Sequence, residues 1–200
     1  MEVIVVDGHS RDDTVHEARR AGARVLRADR PGRASQMNQG AKAAKGDVIM
    51  FLHADTTLPK DYPSLVGASM GRKKAWGSFR SIDTGLCNPL ASFLIRQGVA
   101  LRTMLLHKPY GDQCIFVKRK TFNEVGGYRD MPLLEDVDLV SRLSARAGPP
   151  SIVDRDIKTS GRRWESLGVL RTTVLNQYIL LRHAMGADVR ELAKLYTSAK

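Results

Sequence analysis

Three groups of polar residues in this 200-residue chain stand at the ends of apolar runs, where α/β proteins commonly do their chemistry. His53-Ala54-Asp55 closes the run Val48 to Leu52. A carboxylate with an imidazole two residues before it can hold a hard divalent cation, and that cation can hold a diphosphate. Asp7, Ser10, Asp12 and Thr14 follow the run Val3 to Val6. An aspartate at such a strand end suits a ribose hydroxyl or a base imide. Glu135-Asp136 stands ahead of an apolar helical segment, and one member of such a pair, in a pocket, can take a proton from a hydroxyl. Each group also has an ordinary structural reading. Asp and Ser cap helices, adjacent acids complement a helix N-terminus, and Asp55 can simply end a strand.

Arg33, Arg162 and Arg163 are candidate phosphate partners, because a guanidinium fork matches phosphate oxygens. In so basic a chain a single arginine is more often a solvated surface group. Trp76 and Trp164 could stack on a sugar ring, and each equally suits a core.

The elements that must position these residues follow from periodicity. Val3 to Val6 reads as a buried strand. A helix from about Asp12 or Asp13 to Ala21 starts with acids and stops at Gly22. A strand at Arg24 to Arg27, a helix from Arg33 to about Lys45 and a strand at Val48 to Leu52 complete β-α-β-α-β, the pattern of a parallel sheet with crossover helices. Further on, helices are expected over Pro59 to Met70, Ala91 to Leu106, Arg119 to Val125, Val137 to Ala147, Gly168 to Met185 and Val189 to Tyr196. Strands are expected at Ala75 to Ser81, Cys114 to Val117 and from Ile152, with a turn at Tyr110 to Gln113. Leu94, Leu101 and Leu105 form much of an apolar side on the Ala91 helix. The fold class expected is α/β: a mainly parallel central sheet flanked by helices, with C-terminal helices, in a single domain over 1–200.

Apolar content of 42% and charge of 26% are those of a globular domain, whereas a net charge of +11 favours anionic partners. The arginines are scattered through helices and no nucleic-acid-binding signature is present, so nucleic acid is disfavoured as a partner. Cys87 and Cys114 lack metal-ligand spacing, which points to a reducing compartment, cytoplasm or organelle stroma. No uninterrupted apolar run approaches about 18 residues, so no membrane span is expected. A basic terminal helix carrying Leu170, Leu175, Ile179, Leu180 and Leu181 leaves peripheral membrane contact open, against packing of that face on the sheet.

The order of these motifs resembles the family 2 glycosyltransferases of GT-A fold, in particular the small radical-SAM-associated subgroup. Val3 to Thr14 is similar to the family's nucleotide-binding segment, and Arg33 to Gly40 to its Arg-x-x-Gln-x-Asn-x-Gly segment. Leu52 to Thr56 lies where the family carries its Asp-x-Asp metal motif, with His53 in place of the first Asp. Pro109 to Gln113 and Leu134-Glu135-Asp136 resemble its acceptor-side loop and base motif, and Ser160 to Trp164 its Gln-x-x-Arg-Trp element. His9, Arg11 and Asp13 depart from the family's Gly, Thr and Gly. The family opens with a further strand before Val3, so the chain reads as N-terminally truncated, with one strand edge left unpaired.

The resemblance implies a metal-dependent, inverting transferase that uses a nucleotide-sugar donor, a UDP-sugar first, and an unknown hydroxyl acceptor. It implies Asp136 as base, with Glu135 orienting. Asp55 and His53 would hold Mg²⁺ or Mn²⁺, and Asp7, Ser10 and Arg33 would bind the nucleotide. Arg162, Arg163 and Trp164 would face phosphate and sugar, with Trp76, Tyr110, Asp112 and Gln113 on the acceptor side. Two alternatives stand beside it: a non-catalytic nucleotide- or protein-binding remnant of the fold, and a membrane-surface transferase with a lipid-linked acceptor. No motif specifies the oligomeric state.

Overall fold

The computed structural model describes residues 1–71 and 74–198. The chain runs β1 (Ile4–Asp7), α1 (Thr14–Arg20), β2 (Arg24–Arg27), α2 (Arg33–Ala43), β3 (Val48–Phe51), β4 (Thr56–Thr57), α3 (Tyr62–Ser69), β5 (Trp76–Asp83) and α4 (Pro89–Leu106). A single 3-10 turn (Gly111–Gln113) follows. Then come β6 (Ile115–Lys118), α5 (Arg119–Glu124), α6 (Glu135–Ala147), β7 (Ser151–Thr159), α7 (Arg162–Leu167), α8 (Val169–Ala184) and α9 (Val189–Ser198). The expected β-α-β-α-β opening is present. The strand β4 and the helix α7, where only a polar motif was read, are additions.

The strands form two groups. β1 pairs with β2 in parallel, and the other five lie in the order β3-β6-β5-β7-β4. Within the larger sheet β5–β7 is parallel, while β3–β6, β5–β6 and β4–β7 are antiparallel. The α/β fold class holds, but the sheet is more mixed than the mainly parallel one expected. The causes are β6, which enters between β3 and β5 and runs against both, and the short β4, which runs against β7 at the edge. β1 is also less buried than its apolar run suggests: Val3 is 53% exposed and Ile4 to Val6 are half-buried. β1 has one strand partner among the described residues, so its second edge stays open and only part of each side chain is covered.

Alternation along the central strands divides the core in two. Ile49, Phe51, Trp76, Ile115 and Val117 face α2, α5 and α6, packing with Phe122, Tyr128, Leu139, Val140 and Leu143. Cys114, Phe116, Phe79, Ile82, Val153 and Ile157 face the opposite side, with Val66 and Met70 of α3 and Val99 of α4. A third cluster, Leu133 with Ile179 and Leu192, fixes α8 and α9. Thus Ile179 and Leu175 of the terminal helix pack inward, while Leu170 and Leu181 face out. On α4 the apolar side faces outward: Leu94, Leu101 and Leu105 are 59–67% exposed, and the core side is made by Val99 and Thr103.

The Arg33-to-Gly40 segment of α2 staples the fold together. Gln36 Nε2 donates to the Val6 carbonyl at 2.8 Å. Asn38 Nδ2 donates to the Tyr128 carbonyl at 2.7 Å, and Asn38 Oδ1 accepts from the Tyr128 N–H at 2.9 Å. Tyr128 is buried, so removing the Asn38 amide strands two backbone groups. Asn38→Ala is expected to cost about 2–4 kcal/mol in urea unfolding. Gln39→Ala, which removes only exposed hydrogen bonds, is expected to stay within about 0.5 kcal/mol of the parent.

Candidate active site

The carboxyl ends of β1 and β3, the 3-10 turn and the start of α6 supply the polar residues singled out in the sequence. Asp7 closes β1, is buried, and accepts the Ser10 N–H at Oδ1 at 3.1 Å. Hydrogen bonds from the Ser10 hydroxyl and N–H hold its carboxyl below the usual range, so it presents as a carboxylate. His9, between them, sits at φ 70°. Its Nε2 donates to the Ala28 carbonyl and its Nδ1 accepts from Arg27 Nε, both at 3.0 Å. These two bonds fix the tautomer and tie the loop to the end of β2.

Asp136 lies in the first turn of α6. Its Oδ2 accepts the Gly111 N–H at 2.7 Å and its Oδ1 accepts the Val137 N–H at 2.9 Å. Gly111 brings His53 to the same place: a Cβ built on Gly111 would lie 3.1 Å from both Asp136 Oδ2 and His53 Nε2. A side chain at 111 would crowd both groups, and glycine leaves the room in which they meet the backbone. Glu135 is buried and receives Arg33 Nε at Oε1 at 2.9 Å, while its Oε2 is enclosed without a hydrogen-bond partner. Burial pushes its carboxyl above the usual range, against the pull of Arg33.

Asp112 Oδ1 is likewise enclosed and unpartnered. Burial raises the Asp112 carboxyl, partly offset by Arg102, and neighbouring Asp136 raises it further. A carboxyl raised in the folded state stabilises the fold while protonated, and that contribution is lost as pH rises through its folded value. Asp112→Asn keeps the neutral form at every pH. The variant is therefore expected to melt above the parent at pH 7, with the difference closing as pH falls below the ordinary aspartate value of 3.8. A thermal-melt series from pH 3 to pH 8 checks this.

Four non-glycine residues adopt left-handed backbone among the described residues: His9, His107, Cys114 and Leu134. His9 follows Asp7, Leu134 precedes Glu135, and His107 and Cys114 flank the segment that carries Tyr110 and Gly111. Strain of this kind persists where surrounding structure enforces it, and such positions cluster at working sites.

The remaining candidates separate. Asp55 is partly exposed, with Arg162 Nη2 3.8 Å from its Oδ2. So loose and solvated a pair leaves both groups able to turn to a ligand. Arg163 points elsewhere: its guanidinium stacks on Tyr196 at 3.6 Å, Nη2 donates to the Tyr196 carbonyl, and Nε is enclosed without a partner. A helix turns about 100° per residue, so the two neighbours on α7 leave in different directions, Arg162 toward Asp55 and Arg163 toward Tyr196. Trp164 packs against the second core cluster. Arg33 is engaged with Glu135.

Trp76 and Gln113 do not face a pocket. Trp76 is fully buried in the first core cluster, and its Nε1 donates to the Gly148 carbonyl at 2.9 Å. Gln113 is fully buried too. Its Nε2 donates to the Phe79 and Arg80 carbonyls and Thr103 Oγ1, and its Oε1 accepts from Arg102 and the Tyr110 N–H. Every hydrogen-bonding position of that amide is used within the fold. Tyr110, half-buried under the Arg102 guanidinium at 3.7 Å, stays beside Asp136, and burial raises its phenol. Sequence reading missed Arg102, which braces both Tyr110 and Gln113, because one arginine on an apolar helix carries no periodic signal.

Residues 1–86 match the family described as Glycosyl transferase family 2. The likeness is to family 2, and the fold is GT-A. Among solved structures with this fold are a mannosyltransferase, PcManGT from Pyrobaculum calidifontis in complex with GDP-Man and Mn²⁺, and S. aureus TarS 1-349. The first has TM-score 0.63 and 14% identity, over 99% of this chain and 60% of that one. The second has TM-score 0.62 and 16% identity, over 86% and 54%. A third is glucosyl-3-phosphoglycerate synthase from Mycobacterium tuberculosis in complex with Mn²⁺ and uridine-diphosphate-glucose, with TM-score 0.57 and 21% identity, over 86% and 65%. The chain thus spans 54–65% of the length of these three structures. No curated protein matches it.

In this GT-A chain no cluster of three or more His, Cys, Asp or Glu side chains is arranged to hold a metal among the described residues. The donors available are Asp55 and His53, separated by Ala54 on a loop. That set fits a hard divalent cation which takes its remaining ligands from a diphosphate and water.

Proposed function

We propose that the chain transfers a sugar from a nucleotide-diphosphate sugar to a hydroxyl acceptor, with inversion at the anomeric carbon. The observation that carries this reading is the convergence of Asp136 Oδ2 and His53 Nε2 on Gly111, just beyond the end of β3. The backbone N–H groups of Gly111 and Val137 fix the Asp136 carboxylate while leaving further lone pairs free. Asp136 takes the acceptor proton as the acceptor oxygen attacks the anomeric carbon. The bond from that carbon to the diphosphate breaks, and the nucleoside diphosphate leaves. Asp7, held ionised by Ser10, receives the nucleoside, and Arg162 offers its exposed guanidinium to the departing phosphate.

Arg33 acts through Glu135, holding the buried carboxylate that precedes the base. Asp55 and His53 would hold Mg²⁺ or Mn²⁺, which supplies positive charge to the diphosphate when bound. UDP-sugars are the first donors to test, with GDP-sugars second, since structures of the same fold were solved with UDP-glucose and GDP-mannose. Incubating the chain with UDP- and GDP-sugar panels, Mn²⁺ and a mixed hydroxyl-acceptor pool, then reading free nucleoside diphosphate and mass-shifted acceptor, tests the reading. Donor-dependent release of UDP or GDP with a matching hexose mass shift is expected. Complete absence of both, from folded protein that binds the nucleotide, would overturn it.

A further inference from the structure

We propose that α4 is the surface by which the protein lies on an anionic lipid membrane. Of its 18 residues, Leu90, Phe93, Leu94, Leu101, Met104, Leu105 and Leu106 are exposed, each by 47–67%. At 3.6 residues per turn, all but Leu106 fall within about 140° of the helix circumference. Only Gln97 and Gly98 interrupt them, and no charged side chain lies on that face. The stripe runs the length of the helix, about 27 Å at 1.5 Å per residue. Scattered exposed leucines need no explanation, but a continuous apolar face does. The helix cannot turn this face inward. Its other side is already anchored by Val99 and Thr103 in the core, by Arg96 reaching toward Asp156 at 3.7 Å, and by Arg102 bonded to Gln113 at 2.7 Å.

Charge selects the occupant. No acidic residue occurs between Asp83 and Asp112, whereas Arg96, Arg102 and Lys108 lie in that span, with Lys108 exposed at its end. α8 repeats the pattern: Leu170, Val174, Tyr178, Leu181 and Met185 are exposed, and no acidic residue lies between Glu165 and Asp188. The face itself is uncharged, with Arg96, 40% exposed, on its flank and Lys108 exposed at its end, so a second copy would find no carboxylate there to pair with this basic rim. An anionic lipid surface accepts the apolar stripe in its acyl boundary and the basic groups among its headgroups. No helix among the described residues is long and apolar enough to cross a membrane, so the helix lies on the surface. Its C-terminal end leads directly into the segment carrying Tyr110 and Gly111. If the transfer reading above holds, a lipid-borne hydroxyl would therefore arrive close to Asp136.

Co-sedimentation of the full chain with vesicles tests this without donor or turnover, so its outcome is separate from that of the transfer assay. The protein is expected to pellet with phosphatidylglycerol–phosphatidylcholine vesicles at low salt, less at high salt, and weakly with phosphatidylcholine alone. Leu101→Glu with Leu105→Glu is expected to lower the bound fraction about tenfold or more while leaving the thermal melt unchanged. Leu101→Asn with Leu105→Asn, which adds no charge, is expected to weaken binding in the same direction. Failure of the folded chain to pellet with anionic vesicles would overturn the proposal, as would equal binding by both double variants. So would a concentration-dependent dimer in sedimentation equilibrium that the same substitutions dissolve, without vesicle binding.

Discussion

On the proposed transfer, Asp136→Asn is expected to lower the rate by roughly a hundred- to ten-thousandfold and to leave nucleoside-diphosphate affinity nearly unchanged. The expected rate effect follows from removing the carboxylate proposed to take the acceptor proton. The geometry adds a second cost. Both carboxylate oxygens accept a backbone N–H, from Gly111 and from Val137. An asparagine can meet only one of these with its oxygen, and its amide nitrogen must then face the other donor. The 3-10 turn that carries Gly111 is therefore expected to shift in the variant. The measurement is single-turnover transfer at saturating donor beside a calorimetric UDP or GDP titration, with the thermal melt as the folding control. Undiminished transfer by the variant would remove Asp136 from the mechanism.

Gly77→Ala is expected to cost about 4 kcal/mol or more and to drive much of the protein into the insoluble fraction. Gly77 is where three strands meet: it pairs with Phe116 of β6 and with Ser151 of β7. A Cβ there would lie 2.2 Å from the Ser151 carbonyl oxygen and 2.6–2.7 Å from the Phe116 ring. The ring is fully buried between Phe79 and the second core, and the oxygen belongs to a paired strand, so neither can yield cheaply. The strand separation fails at the centre of the five-stranded sheet, not at an edge. Urea unfolding and soluble yield check this, and a melt within a degree or two of the parent would contradict it.

How much of this was legible in the sequence depended on how local the signal was. The β-α-β-α-β opening was readable because period-2 and period-3.6 runs with glycine stops are local properties. Asp7, Asp55 and Glu135-Asp136 were readable as strand-end and helix-start polar groups. Trp76 and Gln113 were not, because an aromatic with a polar handle suits a sugar face and a core alike. Their burial is set by segments far off in the chain, β6 and Gly148 for Trp76, β5 and α4 for Gln113. Arg162 and Arg163 are adjacent letters, and only the rotation of α7 decides that one faces Asp55 and the other Tyr196. The Arg33-to-Gly40 segment resembled a binding motif, whereas much of it staples α2 to β1 and to Tyr128. The apolar side of α4 was legible in the sequence, but not that it faces outward, because periodicity marks a face without saying what covers it.

The central claim is a donor site at the ends of β1 and β3, and its most direct test is a calorimetric titration of the 200-residue chain with UDP and with GDP. Each titration is run with and without Mn²⁺, on the parent and on Asp55→Ala. Saturable binding of one nucleoside diphosphate that requires Mn²⁺ and is lost in Asp55→Ala is the predicted result. Absence of binding in folded parent protein, or binding indifferent to both Mn²⁺ and Asp55, would contradict the account.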